Sequence, residues 1–194
     1  MKSRNAPIVT TLEELNSVVK CQRMLGQTIV LTMGSWNIFH PGHGKYIERA
    51  SEQADYLIVG VDNDAKIKKK KGDTRPIIPQ DERMDTISRI RHVGLVVLKE
   101  EAPKWEMIKI VKPDVLIATQ ETYSNEDLEK LKEFCGEVKV LEPQATTHTS
   151  NKIRLMVMNL VKDIRQKLIP GLNEYVENFF ANEMGTKKEG EVPK

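Results

Sequence analysis

"QTIVLTMGSWNIFHPGHGKYIERASEQADYLIVGVD" (residues 27–62) places two short apolar runs on either side of a helical pattern. "QTIVLTM" (27–33) and "DYLIVGVD" (55–62) are too apolar for half-exposed strands and read as buried ones. "GHGKYIERASEQ" (42–53) between them has helical spacing and the length of a crossover. Strand, helix and strand in this order make a βαβ unit, whose two strands must lie parallel.

The same alternation continues outward. "TTLEELNSVVKCQRMLG" (10–26) reads as a helix, with Thr11 and Glu14 as a capping box and Gly26 as the stop. After the second strand comes a lysine-rich loop closed by "TRPIIP", then a helix at 80–92. A strand at 94–98 and a helix at 104–111 follow, then a strand at 114–119. A helix over 125–135 starts at an asparagine cap, and 137–142 is the fifth strand. A long helix (149–168) and another (171–184) end the pattern, separated by the breaker Pro170-Gly171. The fold class is therefore α/β: a Rossmann-like open parallel sheet of five strands, helices on both faces, and a C-terminal helical extension.

Bulk properties bound the function. The chain has 194 residues, 39% apolar and 30% charged, as in ordinary soluble proteins. A net charge of +2 gives no whole-molecule field toward nucleic acid or membrane. Cys21 and Cys135 are isolated and read as reduced thiols. Without a signal peptide or a membrane-length apolar run, the expectation is a cytoplasmic protein.

In open parallel sheets ligands bind beyond the carboxyl ends of the strands. The segments there are Gly34–His43, Asn63–Arg75, Thr119–Tyr123 and Pro143–Ser150, all richer in polar chemistry than turns require. The first spends two of the four histidines, His40 and His43, around Pro41-Gly42 at a helix start. A helix N-terminus presents unpaired N–H groups and partial positive charge, which suit phosphate. Gly34 and Gly42 allow close backbone approach, and each imidazole can donate an N–H to an anionic oxygen. A zinc pair lacks a nearby third ligand, since His92, His148 and Cys21 are distant in sequence. From the tetrapeptide alone, phosphate ligands and functionless helix-start histidines stand as equal readings.

The wider context resembles the cytidylyltransferase-like nucleotidyltransferases, which carry an HxGH signature after the first strand, here His40-Pro41-Gly42-His43. "KGDTRPIIPQDERMDTISRIRHVGLVV" and "KPDVLIATQETY" resemble the adenylyltransferase domain that makes ADP-heptose. "THTSNKIR" sits where the superfamily has a Ser/Thr-rich turn opening a helix. The resemblance covers about residues 8–157. It implies a nucleotidyltransferase domain over 27–157, an N-terminal helix (1–26) packed on it, and a helical extension with a polar tail over 158–194.

The resemblance also implies a reaction. An NTP, ATP before CTP, and a small phosphorylated acceptor such as a sugar phosphate give a nucleotide-linked product and pyrophosphate. Positioning and charge stabilisation supply the catalysis. His40, His43 and Lys68 would be catalytic. Met33, Gly34, Ser35, Trp36, Gly42, Arg83, Thr119, Thr149, Ser150 and Arg154 would meet the nucleotide. Asn37, Asp62, Lys69, Arg75 and Tyr123 would meet the acceptor. Mg²⁺ would be bound mainly through phosphates, with no protein metal site. The five lysines between 66 and 71 read as a solvated face from which one or two reach phosphate.

Some positions leave the family pattern. Asn37 stands where the histidine turn usually has Asp, Gln120-Glu121-Thr122-Tyr123 replaces a Gly-x-Asp-Tyr loop, and "EPQATTHTS" lacks an arginine. His148 is either a replacement donor or a surface residue. These departures leave two alternatives open: a nicotinamide-nucleotide or other mononucleotide adenylyltransferase, and a nucleotide-binding regulator with weakened catalysis. RNA binding is disfavoured because the lysines lack interleaved aromatics. The apolar spacing of the last helices suggests packing on the sheet or, with the family's habit, a homodimer contact.

Overall fold

A computed structural model of the chain describes residues 5–100, 105–118, 123–141 and 149–183, the backbone alone at 125, 149–152 and 180–183. The expected positions Thr119 and His148 lie outside these residues. So do the side chains of Thr149 and Ser150, whose backbone opens a helix.

In chain order the elements are β1 (Ile8–Val9), α1 (Leu12–Met24), β2 (Ile29–Gly34), α2 (Pro41–Ser51), β3 (Tyr56–Asp62), α3 (Asp64–Lys71) and α4 (Gln80–Ser88). They continue with β4 (Leu95–Lys99), α5 (Glu106–Val111), β5 (Val115–Ala118), α6 (Asn125–Leu131), β6 (Glu137–Val140), α7 (Thr149–Asp163) and α8 (Ile169–Glu183). The sheet has six strands in the order β1-β4-β3-β2-β5-β6, and every pairing is parallel. The expected five become six because Ile8 and Val9 pair with Val96 and Val97. Two residues are too few to show a period, so only the partner strand makes them a strand.

The central strands β2, β3 and β5 are buried along nearly their whole length, which is why they read as unbroken apolar runs. Alternate residues feed two cores. Ile29, Leu31, Ile58, Leu95, Val97 and Leu116 pack under α1, α5 and α6 with Leu15, Val19, Met107, Ile108 and Leu131. Val30, Val59, Val61, Val96 and Ile117 pack on the other face with Tyr46, Ile47 and Ala50 of α2 and Met84 and Ile87 of α4. The strand order reverses between β2 and β5, so a crevice opens above their carboxyl ends. The turn holding the histidines follows β2, and Tyr123 follows β5.

Local signals explain most element ends. Thr11 and Glu14 form the expected reciprocal capping box, and α1 closes into Gly26 at φ +73°. The lysine run, expected as a loop, is the helix α3, because Asn63 Oδ1 caps it by accepting from Lys66 N–H at 2.9 Å. Gly72 ends it at φ +90°, a region costly for any side chain. The cap of α6 is Ser124, not Asn125 as expected, since the Ser124 hydroxyl accepts from Asp127 N–H. Cys21 is exposed and Cys135 half-buried, and both are free thiols as expected. Burial pushes the Cys135 thiol up to about 11, so it is inert.

The chain divides into two compact units, residues 1–146 and 147–194. In the second, the expected break at Pro170-Gly171 is absent. α7 and α8 are joined without interruption by a π-turn over Ile164–Leu168. Pro170 removes one donor and crowds the carbonyl four residues back, and the wider turn just before it absorbs both effects. Leu155, Met158, Val161, Leu168, Leu172 and Phe179 of this helical unit are exposed. No helix among the described residues is long and apolar enough to cross a membrane.

Candidate active site

The turn after β2 is built by two residues in the left-handed region, Trp36 (φ +51°) and Ile38 (φ +50°). Non-glycine residues stay there only when their surroundings hold them. Trp36 is held by burial and by its indole N–H, which donates to Gly60 O at 2.9 Å. Gly34 is required beneath it, since a Cβ at that position would lie 3.2 Å from the Trp36 ring. The expected approach of Met33, Gly34, Ser35 and Trp36 to a nucleotide is therefore one of backbone, with the Trp36 side chain turned into the core.

His40 is the N-cap of α2. Its Nδ1 accepts from Gly42 N–H at 3.1 Å, and Pro41 fills the first helical position, where no N–H is needed. That bond fixes the tautomer, because an Nδ1 that accepts leaves the ring proton on Nε2. His40 therefore presents an N–H and no lone pair, a donor for an oxyanion and not a zinc ligand. The rings of His40 and His43 stack with centroids 3.9 Å apart, 18° from parallel. Trp36 and Phe39 pack against His43 with centroids 5.5 and 5.4 Å away. The two imidazoles lie as a stacked pair at the N-terminus of α2.

Arg83 departs from its expected contact with nucleotide. It is 1% exposed and donates to four protein acceptors: Nε to Ile78 O, Nη1 to Ser35 O, and Nη2 to both Asp62 O and Asp64 Oδ1. A buried guanidinium used in this way is a clamp. It ties the histidine turn, the end of β3, the start of α3 and the loop before α4 into one frame. Asn37 joins the same frame, since its Oδ1 accepts from Ile78 N–H at 3.1 Å.

A second polar group lies at the ends of β3 and β4. Asp62 pairs with Lys66 Nζ at 2.5 Å and with Lys99 Nζ at 3.8 Å. The structure thus turns Lys66 inward, whereas Lys68, expected to be catalytic, and Lys69 are exposed on α3, with no described contact joining Lys68 to the histidines. Burial, and secondly the positive charge of Lys66, push the Lys99 ammonium down to about 8, against the pull of Asp62. Tyr123, after β5, has a buried hydroxyl with no hydrogen-bond partner among the described residues. Burial raises its pKa, and the negative charge of Asp62 adds to the shift. Arg75 is half-buried before Pro76, and Arg154 is exposed on α7. Sequence reading missed Lys99. Its one signal is a lysine closing an otherwise apolar strand, "LVVLK", at the edge where ligands bind.

Among the described residues no three His, Cys, Asp or Glu side chains come together as a metal cage. Asp62 and Asp64 are engaged by Lys66, Lys99 and Arg83. This donor set fits a Mg²⁺ ion that arrives on phosphate oxygens and not one held by the protein.

The sequence pattern of the cytidylyltransferase-like family matches residues 31–170. The bifunctional protein HldE of Nitratiruptor sp. is 44% identical over 117 residues, which are 59% of this chain and 25% of that protein. That of Aliarcobacter butzleri is 35% identical over 155 residues, 79% of this chain and 32% of its own, and that of Shigella sonnei 37% over 149 residues, 75% and 31%. The chain thus spans a quarter to a third of the length of these curated relatives. Among solved structures, a lipopolysaccharide core biosynthesis protein of Thermoplasma volcanium superposes with TM-score 0.55 at 22% identity, covering 61% of this chain and 98% of that one. A pantoate-beta-alanine ligase of Francisella tularensis superposes with TM-score 0.55 at 13% identity, covering 70% and 66%. These two likenesses concern the fold.

Proposed function

The chain belongs to the cytidylyltransferase-like family of nucleotidyltransferases, and from that premise we propose that it transfers AMP from ATP to a small phosphorylated acceptor. The relatives' adenylyltransferase domain favours a sugar phosphate and ATP over CTP. The observation that carries the reading is the capped and stacked His40–His43 pair at the N-terminus of α2, in the turn that follows β2.

In the proposed reaction a phosphate oxygen of the acceptor attacks the α-phosphorus of ATP. A P–O bond forms to the acceptor, the P–O bond to the β-phosphate breaks, and pyrophosphate leaves with the electron pair. The attacking oxygen is already ionised, so no general base is needed. The residues supply position and charge. His40 and His43 donate to the triphosphate where negative charge grows, from a site whose orientation costs nothing at the moment of reaction. The α2 N-terminus adds its partial charge behind them. A Mg²⁺ ion arriving with the nucleotide would supply further positive charge to the triphosphate. Thr149 and Ser150, at the start of α7, and Arg154 would contribute further phosphate contacts. The exposed apolar positions of α7 and α8 would make a homodimer contact, and a cytoplasmic enzyme follows from the same reading.

A pyrophosphate-release assay tests the proposal. Each NTP with Mg²⁺ is offered sugar phosphates, polyol phosphates and nicotinamide mononucleotide. Release with ATP and a sugar phosphate is the expected result. Binding of ATP with no release from any acceptor would overturn it in favour of a regulator. Release with nicotinamide mononucleotide alone would move the acceptor to the mononucleotide class.

A further inference from the structure

Resting on the proposed transfer to a phosphorylated acceptor, we infer that Lys99, with Lys66, binds a second anionic group at the far end of that acceptor. The acceptor is then a phosphate ester with a second phosphate or a carboxylate, and Lys99 is a specificity residue for it.

Side chains of a strand point to opposite faces in turn. Ile58 of β3 and Leu95 and Val97 of β4 belong to the core under α1 and α5, while Val59, Val61 and Val96 belong to the α2 face. Counting on by twos puts Asp62 and Lys99 on the α1 and α5 side of the sheet edge, where they are register partners. Trp36, which carries the histidine turn, packs with α2 on the other side. The carboxyl edge thus has two stations for anions, one on each face. Strands β2 and β4 are two places apart, roughly 10 Å at the usual strand spacing. A small acceptor whose phosphate attacks the triphosphate held at the histidines can extend its other end that far.

The charge count gives the chemistry of that end. Two ammonium groups share one carboxylate, so Asp62, Lys66 and Lys99 carry a net positive charge. Lys70 adds to the positive field on Lys99. The side chains of Lys99, Lys66 and Asp62 keep 22%, 27% and 19% of their exposure. Asp62 offsets one ammonium fully and leaves the other at 3.8 Å, poorly compensated. An anion bound there offsets the repulsion between the lysines and stabilises the protonated form of Lys99. Tyr123, whose buried hydroxyl lies within the field of Asp62, supplies an O–H donor on the same side. Arg83 holds the Asp62 carbonyl, so the station is fixed to the frame that carries Ser35 and the histidine turn.

Sulfate is the probe, because its charge does not change between pH 6 and 10. Lysines of the full chain are dimethylated with ¹³C, and the Lys99 resonance is assigned by its loss in Lys99→Met. Low-millimolar sulfate at pH 7 is expected to shift Lys99 and Lys66 and to raise the Lys99 titration midpoint. At pH 9.5 its apparent affinity for Lys99 should fall at least tenfold. Exposed Lys132 on α6 serves as control and should not respond in this way. In pyrophosphate release with ATP, glucose 1,6-bisphosphate should exceed glucose 1-phosphate at least tenfold in kcat/KM, and Lys99→Met should erase most of that advantage. Sulfate affecting Lys99 no more than Lys132, or equal use of the two sugars, overturns the inference. If neither sugar reacts, the sulfate titration decides by itself. Failure of pyrophosphate release from every acceptor strikes the proposed reaction, and the sulfate titration remains a separate readout.

Discussion

The two anion stations at the carboxyl edge set their donors in opposite ways. At the histidine turn the donors are set by backbone. Gly42 N–H occupies Nδ1 of His40, which leaves the ring proton on Nε2, and the ring stacks on His43. At the end of β3 and β4 the donors are set by another side chain, since Asp62 holds Lys66 and Lys99. The first arrangement is held by the cap of α2 and by ring stacking. The second is a balance of charges that an anion or a proton can shift. The difference teaches that a transferase of this kind can separate reaction from selection: the rigid station suits a transition state, and the adjustable one suits the choice of acceptor.

Arg83 underlies both stations, so its removal should have the largest effect. Arg83→Leu strips donors from Ser35, Ile78 and Asp62 carbonyls and leaves Asp64 unpaired. It is expected to destabilise the protein by about 3 to 5 kcal/mol in urea unfolding and to impair both sites together. Loss of activity at unchanged stability would mean that Arg83 touches substrate after all.

His43→Ala breaks the rigid station alone. A drop in kcat of about 100- to 1,000-fold is expected, with ATP binding changed far less. An equal loss in both would reduce His43 to a ground-state contact.

Lys99→Met separates the second station from the first. The folded-state pKa of Lys99, about 8, lies below the unfolded value near 10.5, so the unfolded chain holds more protons between them. Lys99 therefore costs stability below pH 8, and the cost fades as pH rises toward 10.5. Lys99→Met should be more stable than the parent at pH 7 by roughly 1 to 3 kcal/mol, and the gap should close by about pH 10.5. A gap independent of pH would mean that packing, not charge, is responsible.

The smallest effect distinguishes the two roles of His40. His40→Asn retains an N-cap and His40→Ala does not, so their stabilities should differ by about 1 kcal/mol. Both lose the Nε2–H donor, and both should lose turnover to a similar degree. Full activity in the asparagine variant would leave His40 a cap and nothing more.

The fold was legible where one element sufficed to show it. Apolar runs without alternation at β2, β3 and β5 can only be strands buried on both faces, and helices between them force a parallel sheet. The capping box of α1 and the histidine turn were legible for the same reason, since capping is a matter of neighbours in sequence. Three readings failed because their cause was distant or cooperative. Ile8 and Val9 become a strand only against β4. The lysine run becomes helical because Asn63 caps it and Ile67 is buried. The helix of the C-terminal unit runs through Pro170 because a π-turn can absorb the missing donor.

For the site, sequence alone determined that two histidines, two glycines and a helix start meet after the first buried strand, which is enough to point to phosphate. Only the tertiary structure decided which side chains are engaged by protein partners. Arg83 looked like a ligand contact and is a buried clamp, because the acceptors that consume its donors come from four separate segments. Lys66 belonged to a run read as a solvated face from which one or two lysines reach phosphate, and Lys99 drew no reading; the two share one carboxylate, because parallel register sets Asp62 beside Lys99 and four residues set Lys66 over it. Local chemistry is written in adjacent residues, whereas charge compensation depends on partners that only the packed sheet brings together.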